Sequence, residues 1–260
     1  MNYFFCTFKV IKKTTMFRHQ GKRRTFIHNL RLATNLAFVA GIVNIVGVLS
    51  LATFTTNVTG HFAYFAEEIV KKDYSTAIHY ILFIVFFLLG AFFSNLIIEI
   101  ALRRKLKMAH AIPIFIEIVI LTFVALAVNW FTLTSENQHF LAYLLLFAMG
   151  LQNALVTQIS QSTVRTTHFT GMFTDLGIEL SQLYFYKKTP DFKKLTQKIY
   201  LRLAIILFFF LGCILGGFCY GSLQLNTLFI AVFGLLFSLF YDKFIYFFHR
   251  VKRKSNANKK

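Results

Sequence analysis

The sequence has little charge for its length, and acidic residues are especially scarce. Only 15% of its 260 residues are charged, and 10 acidic residues stand against 28 Lys and Arg. Soluble domains are nearer to about 25% charged, so with 57% hydrophobic residues the composition excludes a disordered chain and an ordinary soluble protein. The net charge of +18 alone would suit a nucleic-acid binder. The positions of the charges therefore decide, and almost all of them lie outside the apolar segments.

Cysteine and recognisable catalytic motifs are also scarce. Cys6, Cys213 and Cys219 provide no disulfide framework, because one precedes the first apolar segment and two lie on different faces of another. There is no nucleophile elbow, zinc-protease motif, phosphate-binding Gly-Lys loop or dinucleotide fingerprint. We therefore expect no enzyme, no metal site and no cofactor. The one cluster available for acid–base chemistry would be His168, Asp175 and Glu179.

The sequence contains instead five long uncharged segments, each of membrane-spanning length. They are Leu32–Ala66, Tyr74–Ile98, Ile118–Ser135, Asn137–Val164 and Leu203–Tyr241. A helix crosses the hydrocarbon layer with about 20 residues, so the last segment must fold back, and Gly216 to Asn226 supply a flexible, polar stretch for the turn. The chain is therefore predicted to be all-helical with six spans: Leu30–Leu51, Ala77–Glu99, Ile112–Trp130, Phe140–Ile159, Ile199–Tyr220 and Leu225–Phe247.

The basic residues predict which side of the membrane each connection faces. With six spans and the N-terminus inside, 25 Lys and Arg lie on the inner side and two on the outer side, with Arg165 left out of the count. Both termini are thus expected in the cytoplasm, as basic segments over residues 1–29 and 249–260 that contact anionic headgroups rather than nucleic acid. Met16 is a second candidate start, which would make residues 1–15 an extension.

The chain also contains a repeat. Residues 55–62, the first Thr motif, resemble residues 166–173, the second Thr motif, and the match brings Glu68 opposite Glu179. Gly41 to Asn44 likewise match Gly150 to Asn153, and Gly90 to Ser94 match Gly212 to Gly216. Each unit reads as a span, a Thr motif and two more spans. Because three is odd, residues 30–135 and 136–248 are predicted to be inverted three-helix repeats.

These residues resemble the YoaK-type bacterial inner-membrane proteins, a family of unknown function, over about residues 16 to 248. The most specific stretches are Phe38–Gly41, Phe54–Gly60 and Val164–Gly177. The resemblance implies an inner-membrane location and about six spans, but no substrate and no catalytic residue. The first motif departs from the commoner form at Gly60-His61-Phe62-Ala63, where an Asn and a Thr often follow the Gly.

The Thr motifs are the candidate ligand site. Thr hydroxyls compete for backbone hydrogen bonds and Gly relaxes a helix, so each motif is suited to interrupt a helix, and we expect the segment from Ala52 to Ala66 to re-enter the membrane partially. Interrupted helices in corresponding positions of inverted halves point to a transporter-like centre. The candidate ligand residues are Asn44, Thr55, Thr56, Asn57, Thr59, Gly60, Asn153, Arg165, Thr166, Thr167, His168, Thr170, Gly171 and Asp175.

Alternatives stay open for several of these residues. The Thr motifs could serve only close helix packing. Helix packing also explains four other small residues better than a ligand role does: Gly90, Ser94, Gly212 and Gly216. Arg165 would hold an anion or extend to the inner headgroups. Glu117, a carboxylate inside the third span, would relay protons or pair with Arg103, Arg104 or Lys107.

The sequence therefore predicts a small-solute or ion permease with a central site between the Thr motifs. The alternative is a non-transporting membrane scaffold or sensor whose motifs pack helices. Neither the solute nor the oligomeric state follows from the sequence, and a homo-oligomer is compatible with it.

Overall fold

The computed structural model describes residues 26–106, 108–127, 134–160, 166–187 and 189–240. All regular structure within them is helical, which confirms the predicted class. The helices are α1 (Phe26–Leu51), α2 (Val58–Val70), α3 (Tyr74–Arg103), α4 (Ala111–Leu126), α5 (Ser135–Ile159), α6 (Phe169–Tyr186) and α7 (Phe192–Leu223). A 3-10 turn (Gln224–Thr227) and a last helical stretch, α8 (residues 228–240), follow.

Long apolar helices dominate the described residues and indicate a membrane-spanning protein. Four segments are long and apolar enough to cross a membrane: Asn29–Leu51, Tyr74–Arg103, Glu136–Ile159 and Phe192–Phe240. The predicted third span corresponds to the shorter α4, of 16 residues, and its expected end at 128–130 lies outside the described residues. The described part of the sixth span is α8, since residues from 241 onward are also outside them.

The fourth apolar segment folds back on itself, as its 49 residues require. Gln224 has a left-handed φ of 51°, which ends α7, and the 3-10 turn leads into α8. Tyr220 donates its hydroxyl to the Leu49 carbonyl, whereas Gly234 lies back beside Asn35 and Val39 of α1. Chain reversal between α7 and α8 is therefore established.

The expected position of this turn was partly wrong. Gly216 and Gly217, predicted to begin the flexible stretch, lie inside α7. A Cβ at Gly216 would be 2.8 Å from the Ile45 side chain and 3.2 Å from the Ile42 Cα. Gly216 therefore allows close helix packing instead of bending the chain, as small residues do at membrane-helix interfaces.

Helices α1 and α7 run parallel and touch through their backbones. A Cβ added at Gly41 would overlap the Phe209 carbonyl oxygen, and one added at Gly212 would overlap that of Phe38. Cys213 donates its thiol to the Gly41 carbonyl at 3.3 Å. The two glycines lie opposite each other, so neither helix can carry a larger side chain there without moving apart.

Helices α3 and α5 form a second parallel pair of the same kind. A Cβ at Gly90 would overlap the Phe147 carbonyl oxygen, and one at Gly150 would overlap that of Phe87. Ser94, one turn after Gly90, is fully buried. The expectation that these small residues pack helices is confirmed.

The two pairs meet where α1 crosses α5 in the opposite direction. The Gln152 side-chain amide donates to the Leu36 carbonyl at 2.9 Å, and a Cβ at Gly47 would lie 3.9 Å from Leu145. Buried side chains of α1, α4, α5 and α8 form the main apolar core around this crossing. The short helices lie at its edge, with α2 packed on α3 and α6 packed on α7.

Because the glycine contacts bring main chain against main chain, we predict that Gly90→Ala and Gly212→Ala each destabilise the protein by about 1–3 kcal/mol through overpacking. The matched control is Gly177→Ala on α6, where an added Cβ meets nothing within 4 Å. This control should gain roughly 0.5–1 kcal/mol, because Ala suits a helix interior better than Gly. Thermal unfolding in detergent measures all three variants. Equal melting temperatures would contradict the close contacts.

Candidate functional site

The first interruption separates α1 from α2. Ala52 has a left-handed φ of 50°, and the Thr53 amide donates to the Gly47 carbonyl at 3.2 Å, so the chain leaves the helix sharply after Leu51. The Thr53 hydroxyl donates to the Leu51 carbonyl at 3.0 Å. Side-chain and main-chain groups of the loop thus compensate the carbonyls that the ended helix leaves free.

The first Thr motif is tied to the preceding helix and caps the following one. The Thr56 hydroxyl donates to Asn44 Oδ1 of α1 at 2.9 Å. Asn57 is the N-cap of α2, and its Oδ1 accepts from the Thr59 hydroxyl at 3.0 Å and the Gly60 amide at 3.1 Å. The Asn57 side chain lies over Gly60, where a Cβ would be 2.7 Å from Nδ2. The predicted break is therefore present, and its glycine makes room for the cap.

The second Thr motif repeats this arrangement between α5 and α6. The Thr167 hydroxyl donates to Asn153 Oδ1 of α5 at 2.8 Å, and the Thr166 hydroxyl does so at 3.3 Å. His168 occupies the N-cap position of α6 without a side-chain capping bond, and its ring lies over Gly171. Asn44 and Asn153, predicted to face a solute path, each anchor their own motif.

Several motif side chains are buried, whereas others remain accessible. Thr55 and Thr166 are fully buried, and Thr55 Oγ1 has no hydrogen-bond partner among the described residues. Thr59, His168 and Thr170 are exposed. The accessible hydroxyls thus lie in the first turn of α2 and of α6.

The two motifs lie on opposite sides of the α1–α5 crossing. Gln152 contacts Leu36, so Asn153 lies near that level of α1, whereas Asn44 is about 12 Å further along the axis at 1.5 Å per residue. The hydrogen bonds described for the motif residues stay within one half each. The geometry therefore gives two separate interruptions rather than one joined ring of threonines.

Asp175, a candidate ligand residue, belongs to a charged cluster that the sequence did not predict. Arg202 of α7 donates from Nε and Nη2 to the Glu179 carboxylate at 2.9 and 3.1 Å, and its Nη1 lies 2.8 Å from Asp175. The prediction that Asp175 and Glu179 share one face of α6 is confirmed. The sequence gives no sign of the Arg202 pairing, because Glu179 lies 23 positions away. Arg165 lies outside the described residues.

Glu117 of α4 is fully buried, and neither carboxylate oxygen has a hydrogen-bond partner among the described residues. The alternative in which Arg103 or Arg104 pairs with Glu117 is not found, and Lys107 lies outside those residues. An isolated charge is costly in such a place. This arrangement keeps the proton-relay hypothesis and weakens the ion-pair alternative.

Comparison with known proteins identifies one family. A family model described as "Protein of unknown function (DUF1275)" matches residues 32–241. No curated protein and no solved structure matches the chain. The matched range contains both Thr motifs, both parallel helix pairs, Glu117 and the Arg202 cluster.

The Arg202 cluster yields a prediction about unequal partners. Glu179→Gln should cost about 1–3 kcal/mol, since it removes the more buried of the two carboxylates that pair with the largely buried Arg202 guanidinium. Asp175→Asn should cost less than about 1 kcal/mol, because that carboxylate is half exposed and screened by solvent. Adding Arg202→Met to Glu179→Gln should restore part of the loss. Thermal unfolding of these variants checks the order, and equal losses for the two acidic positions would contradict it.

Proposed function

The chain belongs to the DUF1275 family, whose function is unknown, and from that premise we propose that it is a small-solute or ion permease built from two inverted three-helix repeats. Its helices would cross a bacterial inner membrane six times, with both termini in the cytoplasm. We also propose that it is a YoaK-type member of the family, on the residues quoted above.

The observation that carries this proposal is the matched pair of helix interruptions. The second residue of each motif is a threonine whose hydroxyl donates to an asparagine in the preceding helix. Thr56 donates to Asn44 of α1, and Thr167 donates to Asn153 of α5. Interrupted helices at corresponding places in two halves are the pattern of transporters whose halves rock about a central site. Packing alone does not require the same interruption twice.

The directions of the helices support inversion of the repeats. The corresponding helices α1 and α5 run antiparallel, as the Gln152–Leu36 and Gly47–Leu145 contacts indicate. Each of them packs in parallel on a helix of the other half at equivalent glycines. Two units related by a half-turn in the membrane plane would produce this exchange, and they would open their Thr motifs toward opposite faces.

In this proposal the accessible motif hydroxyls bind the solute and Glu117 binds the coupling proton. Thr59 and Thr170 carry accessible hydroxyls in the first turns of α2 and α6, and a helix N-terminus is a setting suited to polar or anionic groups. Glu117 carries the coupling proton, because a buried carboxyl group without a partner can accept and release a proton without breaking an ion pair.

One observation favours the alternative of a scaffold or sensor. Thr56, Thr166 and Thr167 already donate to asparagine side chains within the protein. Hydroxyls satisfied in this way stabilise helix contacts without any ligand. The test must therefore separate loss of binding from loss of stability.

We predict that purified protein in liposomes takes up at least one member of a panel of sugars, amino acids, inorganic anions and divalent metals. A thermal-shift screen of the same panel in detergent selects the candidates, since a ligand that binds the folded state raises apparent stability. The double variant Thr59→Val/Thr170→Val should keep its melting temperature and lose uptake. Thr196→Val is the matched control, because its exposed hydroxyl bonds the Phe192 carbonyl and belongs to neither motif.

The Glu117→Gln variant is a further arm of this experiment. It should retain uptake down a solute gradient but lose acceleration by an inward proton gradient. A scaffold predicts no uptake for any solute and a lower melting temperature for the Thr double variant. That outcome would remove the permease and leave the packing role.

A further inference from the structure

Aromatic and histidine rings of α3 and α5 form a cluster near the N-terminal ends of these two helices. His79 of α3 and His139 of α5 stack with ring centroids 3.8 Å apart and planes 10° apart. The Tyr143 hydroxyl, one turn further along α5, is hydrogen-bonded to His79 Nδ1 at 2.5 Å. Both imidazoles are half-buried. Two titratable rings from different helices thus form one contact.

Phe83 supports the pair from inside and connects it to α2. Its ring centroid lies 6.1 Å from that of His139, 5.4 Å from that of Tyr143 and 5.2 Å from that of His61. Only 2% of Phe83 is exposed, so the cluster has one dry side. Positive charge on the two stacked rings would therefore be poorly screened on the side that Phe83 covers.

The glycine contacts explain why these histidines face each other. His79 stands eleven residues before Gly90, and His139 stands eleven residues before Gly150. Since the two glycines lie together in a parallel helix pair, residues at the same distance before them also meet. The residues eleven before Gly212 and Gly41 are Leu201 and Leu30. The other parallel pair thus carries apolar residues at the positions where this one has two imidazoles.

We propose that the stacked His79–His139 pair binds protons and acts as a switch that separates the beginnings of α3 and α5 in acid. When both rings are neutral they stack, and His79 Nδ1 accepts a hydrogen bond from the Tyr143 hydroxyl. When both are protonated, two positive charges share a half-buried contact, and Nδ1 of His79 can no longer accept that hydrogen bond. Separation of the helix ends relieves the repulsion and exposes both rings to water.

The neighbouring charged groups leave the pair without a neutralising partner. The titratable groups beside His79 in the sequence of α3 are Tyr80 and the N-cap residue Asp73. Asp73 is exposed and accepts from the Thr76 amide and hydroxyl. On α5 they are Tyr143 and the exposed Glu136.

The groups on α2 also have partners of their own. His61 donates to the Phe54 carbonyl, and Tyr64 stacks on Tyr80. Among the described residues, the ion pairs at this end join Lys71 to Glu67 and to Glu68. No carboxylate is therefore committed to His79 or His139 in the part of the chain that the structure describes.

Ring geometry favours protons over a metal ion as the ligand. The nitrogen lone pairs of stacked rings lie in parallel planes and cannot converge on one ion as tetrahedral coordination requires. The described residues also contain no group of three or more His, Cys, Asp and Glu suited to hold a metal. In the proposed topology this end faces outside the cytoplasm, but the switch itself does not depend on transport.

Spin-label distances across the helix ends test the switch. Tyr74→Cys on α3 and Phe140→Cys on α5 are exposed label sites, placed in a chain whose Cys6, Cys213 and Cys219 are replaced by Ser. Double electron–electron resonance in lipid nanodiscs is recorded at about pH 8 and about pH 5, on either side of the ordinary histidine pKa of about 6.5. We expect the longer-distance population to rise at least about tenfold at the lower pH. The separated state is the one that binds protons, and each pH unit changes the proton activity tenfold.

Matched variants decide the origin of this change. His139→Phe preserves ring stacking without titration and should remove the pH response, and His79→Gln, which keeps a hydrogen-bonding group beside Tyr143, should do the same. His168→Gln, at the start of α6, should leave the response intact. The proposal is overturned if the distances are equal at both pH values or if the response survives both variants. It is also overturned if the change requires added Zn²⁺ and disappears with a chelator.

Discussion

Close approach of helix backbones at four glycines is the constraint on which the rest of the structure depends. Apolar side chains gain little by leaving lipid for a helix interface, so membrane helices associate mainly through packing and hydrogen bonds. Gly41 with Gly212 and Gly90 with Gly150 allow main chains to touch where any side chain would intervene. These contacts set the parallel direction and the register of both pairs. The register in turn places His79 against His139 and leaves each Thr motif beside the helix that it follows.

The interruptions satisfy a second constraint, that backbone groups away from water need partners. Asn44 and Asn153 each accept from a motif threonine, and Asn57 accepts the Gly60 amide. The halves then differ in their charges. Ten residues before Gly212 stands Arg202, which binds Glu179, whereas ten residues before Gly90 stands Tyr80 near the corresponding Glu68. Equivalent scaffolds therefore carry different chemistry, as expected if the two ends meet different compartments.

Much of this architecture follows from local sequence features. Uncharged length predicts α1, α3, α5 and α7, because a lipid-facing helix must be apolar along its whole course. The repeated landmarks predict which glycines and asparagines correspond. Arg202 was missed because its pairing depends on how α6 packs on α7, which no spacing reveals. The turn was placed too early because glycine serves both bends and close contacts, and only a neighbouring helix such as α1 distinguishes them at Gly216.

The central claim is that the two Thr motifs open toward opposite faces of the membrane. Thr59→Cys and Thr170→Cys, each in the background without native cysteines, place a thiol at an exposed position of each motif. Labelling with a membrane-impermeant maleimide in right-side-out and inside-out vesicles measures the side on which each thiol lies. We expect Thr59→Cys to react only from the outside and Thr170→Cys only from the cytoplasmic side. Reaction of both from the same side would contradict the inverted arrangement and the pathway that depends on it.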